Sequence, residues 1–147
     1  MNRIVIATDG SVNAWPAVED GVQLAFDVGA SVTFVYVRHP VPLLGEPWYQ
    51  RHLTHQLEQA RAALAMAEVE AERVGVPCES EILEGDPASC IVDAAAYRDA
   101  DLLVVGSRGR GTLTSALIGS VSREVTERST VPVMVVRDRA YTRSHAA

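Results

Sequence analysis

"DLLVVGSRGRGTLTSALIGS", residues 101–120, runs from a short apolar stretch into four glycines and two arginines and closes on Gly-Ser. Residues 102–105 are apolar throughout, as a strand buried on both faces requires. Gly106 lets the chain turn sharply off that strand, and residues 120–128 suit a helix. Strand, glycine turn and helix make one half of a crossover between parallel strands.

Working outward, the same alternation recurs. "RIVIA" (3–7) is apolar and branched and enters "TDGS" directly, a strand followed by a tight turn. Ser11 or Asn13 is placed to cap a helix that continues to Val28 and ends at Gly29, with Ala14, Val18, Val22 and Ala25 on one face. "SVTFVYV" (31–37) is a second strand. Residues 38–50 hold three prolines and a glycine and are expected to be a covering loop, with Leu43, Leu44, Trp48 and Tyr49 making it apolar. From Arg51 to Val74, the spacing of Leu53, Leu57, Ala60, Leu64, Ala67 and Ala71 predicts an amphipathic helix that packs on a sheet. "CESEILEG" after Pro77 alternates as an outer strand does. Asp86 and Pro87 open a further helix, with Ile91 and Ala95 inward. "VPVMVV" (131–136) is a fifth strand. The expected fold is a single α/β domain over residues 1–138, a five-stranded parallel sheet with helices on both faces, followed by an irregular tail at 139–147.

Composition narrows the function. Nineteen acidic and thirteen basic residues give a formal charge of −6, which argues against a nucleic-acid surface. Every basic residue among the thirteen is arginine. The absence of lysine excludes a P-loop lysine, a Schiff-base lysine and a kinase-type lysine. No run is long enough to span a membrane. The opening residues lack the basic-then-apolar build of a signal peptide, so a cytoplasmic protein is expected. Cys78 and Cys90 are expected as buried free thiols, and His52 and His55 as exposed polar residues rather than metal ligands.

In open parallel sheets ligands sit beyond the carboxyl ends of the strands. "TDGS" and "GSRGRG" both lie there. Gly109, with Gly111, frees successive backbone N–H groups to aim at one point. Gly119 and Ser120 stand at a helix start, where unpaired N–H groups and the dipole favour negative charge, and Ser120 and Ser122 each add a hydroxyl. A chain of phosphates suits two such converging sites. A merely flexible loop is the competing reading, weakened by its position between a buried strand and a helix. Neither a Walker motif, a dinucleotide fingerprint nor a nucleophile elbow is present. Asp9, the acidic residue of the two loops, is open to two compatible roles: a contact to Mg²⁺ or ribose, and the ordering of its own turn. Arg108 is favoured as a phosphate partner.

The pattern Gly-x2-Gly-x9-Gly-Ser, here "GSRGRGTLTSALIGS", resembles the ATP-binding signature of the universal stress protein family. "IVIATDGS", "VTFVYV", "EGDPASCIVDAA", "DLLVVGSRGRG" and "STVPVMVV" extend the likeness along nearly the whole chain. The resemblance implies a flavodoxin-like or Rossmann-like sheet of order 3-2-1-4-5, binding of an adenine nucleotide, and a homodimer through the last strand. It implies Ala7, Thr8 and Asp9 near the adenosine, with Asp9 toward ribose or a metal, and Val37 facing adenine. It implies Gly106, Arg108 and Gly109 against ribose and phosphates, and Gly119, Ser120, Val121 and Ser122 around the triphosphate. The expected function is an ATP-binding regulatory protein of the stress response, with ATP and Mg²⁺ as ligands. A slow ATPase or autophosphorylating enzyme and a nucleotide-free dimerisation module are the alternatives. Efficient phosphoryl transfer wants a positioned base and a cation clamp, and the two loops offer no evident base. The apolar residues 131–136 carry no charge to blunt an edge and so call for a cover, which a second copy, a partner protein or the C-terminal tail would supply, and pairing with a second copy is expected.

Overall fold

A computed structural model describes residues 1–43, 45–108 and 118–138. Within them, apolar runs and the alternating outer stretch after Pro77 form five parallel strands: β1 (Arg3–Ala7), β2 (Ser31–Arg38), β3 (Cys78–Glu84), β4 (Leu102–Gly106) and β5 (Val133–Val136). Helices α1 (Trp15–Val28), α2 (Trp48–Val74), α3 (Pro87–Tyr97) and α4 (Ser120–Arg128) connect them. The sheet order is β3-β2-β1-β4-β5, as the resemblance implied. Gly109, Gly111 and the 139–147 tail lie outside the described residues.

Alternate residues of each strand feed two cores. Ile4, Ile6, Phe34 and Val104 pack with Val18 and Val22 of α1 and Leu64 of α2. Val5, Val35, Leu103 and Val105 pack with Ile91 of α3 and Val125 of α4. Truncating a fully buried member such as Phe34 or Leu103 to alanine costs roughly 2–5 kcal/mol.

Several boundaries differ from expectation, each for a local reason. The residue capping α1 is Ala14, with no side-chain cap. Ser11 instead accepts the Ala14 N–H on its hydroxyl at 3.2 Å and orders the turn ahead of the helix. The expected loop 38–50 ends early, because α2 starts at Trp48 rather than Arg51. Tyr49 N–H donates to the Gly45 carbonyl at 3.1 Å, and the Trp48 ring stacks on His52 at 4.4 Å one turn on. Strand β5 begins at Val133 rather than Val131, since Pro132 has no N–H for the ladder and Ser129 Oγ takes the Val131 N–H at 3.0 Å. Both cysteines are free and half-buried rather than buried. Even so, desolvation raises both thiols above their ordinary value, so little thiolate forms at neutral pH.

All four buried residues of α2 lie from Ala60 onward, at Ala60, Leu64, Ala67 and Ala71. Its 27 residues span about 40 Å, against about 26 Å for the eight-residue β2. The turns of α2 ahead of Ala60 therefore project past the carboxyl edge of the sheet. The outer strands also differ. On β3, Glu79 and Glu81 grip Arg98 at 2.5 and 2.6 Å, whereas Val133–Val136 carries no charge.

Candidate functional site

The turn after β1 is fixed by its own side chains. Gly10 adopts φ +76°, a left-handed backbone that its missing Cβ permits. Its N–H donates to Thr8 Oγ1 at 3.1 Å, and Ser11 N–H donates to Asp9 Oδ1 at 2.9 Å. Asp9 thus orders its own turn while its carboxylate lines the space beside it. Thr8 is buried and donates its N–H to the Val35 carbonyl at 3.0 Å, joining this turn to β2.

At the end of β4, Gly106 serves close approach rather than an unusual φ. A Cβ there would lie 3.2 Å from the Arg108 carbonyl and 3.4 Å from Ala14 Cα. The two ends of the glycine segment are stitched together. Gly119 N–H donates to the Ser107 carbonyl at 2.6 Å, and the buried Ser122 hydroxyl donates to the Gly106 carbonyl. Ser107 in turn donates its N–H to Val136 at 2.8 Å and accepts the Asp138 N–H on its hydroxyl at 3.3 Å. Helix α4 begins after Gly119 with no side chain capping it, so its first N–H groups have no intrahelical partner. Helix α3 is different: Asp86 accepts the Ser89 N–H at 3.0 Å and its hydroxyl at 2.9 Å. Those two bonds, with Arg128 and His39 nearby, hold the Asp86 carboxyl below its ordinary range.

These elements enclose a cleft of about 380 Å³ at the carboxyl edge of the sheet, within the range of small-molecule sites. Ala7, Thr8, Asp9, Val37, Gly106, Arg108, Gly119, Ser120, Val121 and Ser122 all line it. The expected Gly109 lies outside the described residues. Sequence reasoning missed the opposite wall, formed by Arg38 and His39 after Val37, Gln56 on α2, and Pro87 and Ile91 on α3. The signal was available: every helix that follows a strand starts at this same edge. Arg38 is half-buried and pairs with Glu84 at 2.7 Å. Among the described residues no three metal-ligating side chains gather.

The universal stress protein family model matches residues 1–137. The chain belongs to the universal stress protein family. A universal stress protein of Thermus aquaticus is 38% identical over 136 residues, covering 91% of this chain and 97% of its own. Among solved structures, a universal stress protein of Lactobacillus plantarum superposes with a TM-score of 0.81 at 25% identity, covering 92% of this chain and 97% of that one. A universal stress protein crystallised in complex with cAMP gives a TM-score of 0.72 at 28% identity, covering 93% and 97%. Within this universal stress protein, no helix among the described residues is long and apolar enough to cross a membrane.

Proposed function

We propose that this universal stress protein binds an adenine nucleotide in the cleft, ATP in particular, and acts in the cytoplasm as a nucleotide-dependent regulator. One observation carries the reading: the Thr8–Asp9 turn, the Gly106 exit and the uncapped start of α4 converge on a single cleft. The cAMP complex of a relative adds support for an adenylate as ligand.

In this reading the base lies against Val37 and the ribose near Ala7, Thr8 and Asp9. Gly106, Arg108 and Gly109 approach ribose and phosphates. Ser120 and Val121 hold the phosphates by backbone N–H groups at the helix start, while Gly119, whose N–H is given to the Ser107 carbonyl, keeps the phosphate path open by carrying no side chain. Ser122 adds its backbone there, because its hydroxyl is already committed to Gly106. Mg²⁺ is commonly held by one or two carboxylates together with substrate phosphates and waters. The single carboxylate of Asp9 fits an ion that arrives on the nucleotide rather than one resident in the protein. His39 lines the cleft after β2, two strands from β4, whose end leads to the assigned phosphate site, and no acidic or basic side chain other than Asp9 and Arg108 lines the cleft from the β1 and β4 loops among the described residues. A regulator is favoured over an efficient enzyme for that reason.

Titration calorimetry with ATP tests the proposal. Gly119→Val places a branched side chain at the phosphate path where φ is −70° and a valine backbone is allowed. It should weaken ATP at least about tenfold, the loss expected when backbone donors are blocked, while the melting temperature moves little. Equal affinity in variant and parent would overturn the phosphate placement.

A further inference from the structure

We infer that Gln56, with its amide held by Arg38, selects the base and makes the cleft specific for adenine over hypoxanthine or guanine; this rests on the nucleotide-binding reading above. The phosphates are assigned to α4, beyond β4. Strand β2 stands two places away across β1, roughly 10 Å, so the part of a nucleotide that reaches it is the base. The walls there are apolar, with Val35 and Val37 from β2 and Pro87 and Ile91 from α3. Their polar rim comes from the projecting turns of α2. Gln56 lines the cleft, and its Oε1 accepts from Arg38 Nη1 at 3.5 Å. Arg38 Nη2 is bonded to Glu84 Oε2 at 2.7 Å, which offsets the charge of the guanidinium. A neutral hydrogen-bonding rim between apolar walls suits a heteroaromatic ring and gives little to another phosphate.

Arg38 also fixes which way the amide faces. A guanidinium has donors only, so Oε1 stays on its side and Nε2 turns away; the reverse would set N–H against N–H. Oε1 keeps a second lone pair, so Gln56 presents an acceptor beside a donor. Adenine offers the complement, an amino donor beside a ring-nitrogen acceptor, the match by which glutamine reads adenine in nucleic acids. Hypoxanthine and guanine carry a carbonyl acceptor in place of the amino donor, beside an N7 that is still an acceptor or an N1 that has become a donor, so on either edge the Gln56 acceptor would face an acceptor.

Calorimetric titration with ATP and with inosine triphosphate, which differ at that edge alone, tests the inference on the full chain. The parent should prefer ATP by about tenfold, a size typical of a two-bond base contact. Gln56→Leu should bring ATP down to the level of inosine triphosphate without weakening the latter. Gln56→Glu, which keeps size and acceptors but loses the donor, should weaken ATP selectively and guards against a misfolded leucine variant. A parent that binds both nucleotides equally, or a Gln56→Leu protein that keeps the preference, overturns the inference and leaves the nucleotide site standing. A parent that binds neither overturns the nucleotide reading and this inference with it.

Discussion

Ser122 is the residue at which a sequence motif and a structure assign different work. The motif puts a hydroxyl beside phosphates; the fold buries that hydroxyl and spends its proton on the Gly106 carbonyl. Ser122→Ala should therefore destabilise the ligand-free protein by about 1–2 kcal/mol, the cost of leaving a buried carbonyl unpaired. Denaturant melts without nucleotide check this. A hydroxyl that met only the ligand would leave those melts unchanged. Asp9 gave two compatible readings in the sequence, and its turn-ordering role is present at 2.9 Å from the Ser11 N–H. Side-chain type and spacing locate such residues but do not say which neighbour receives their hydrogen bond. That depends on how closely β4 and α4 approach, which no spacing encodes.

Elements were legible where a local signal marks them. Asp86 and Pro87 start α3 as their chemistry demands, and Gly29 and Gly75 end α1 and α2. The start of α2 was hidden because prolines on its approach read as continuous loop, while the far wall of the cleft depends on how long α2 runs. Asp101 shows a tie between distant elements. Its carboxylate accepts the Asn2 N–H at 2.6 Å and the Arg3 N–H at 3.0 Å, fastening the start of β1 to the turn before β4. Those bonds hold its carboxyl below the ordinary value. A group whose folded pKa is depressed stabilises the protein above its unfolded pKa and loses that contribution as pH falls through the folded one. Asp101→Asn keeps an acceptor but no longer titrates. Its stability should fall less than the parent's as pH drops below about 4, the ordinary aspartate range, in acid melts followed by circular dichroism.

For the molecule as a whole, the five-strand alternation was readable because the inner parallel strands have no polar face to blur the pattern, whereas the strand order was implied by the family resemblance and is the one observed. Assembly is a separate matter. Glu79 and Glu81 with Arg98 guard the β3 edge, while β5 is uncharged and edges the sheet on the other side. Two copies should therefore pair through β5, and native mass spectrometry should report twice the 15.8 kDa chain mass; a spectrum of single chains would reject the pairing. The projecting part of α2 has a consequence for motion. Its turns from Trp48 to Leu57 hold no buried residue and so lack an anchor in either core. Amide protons there should trade with deuterated solvent well ahead of those from Ala60 to Val74, and added ATP should slow the early set most. The protein would then register its ligand as a stiffening of one outlying set of turns, with the rest of the body already as rigid as it will become.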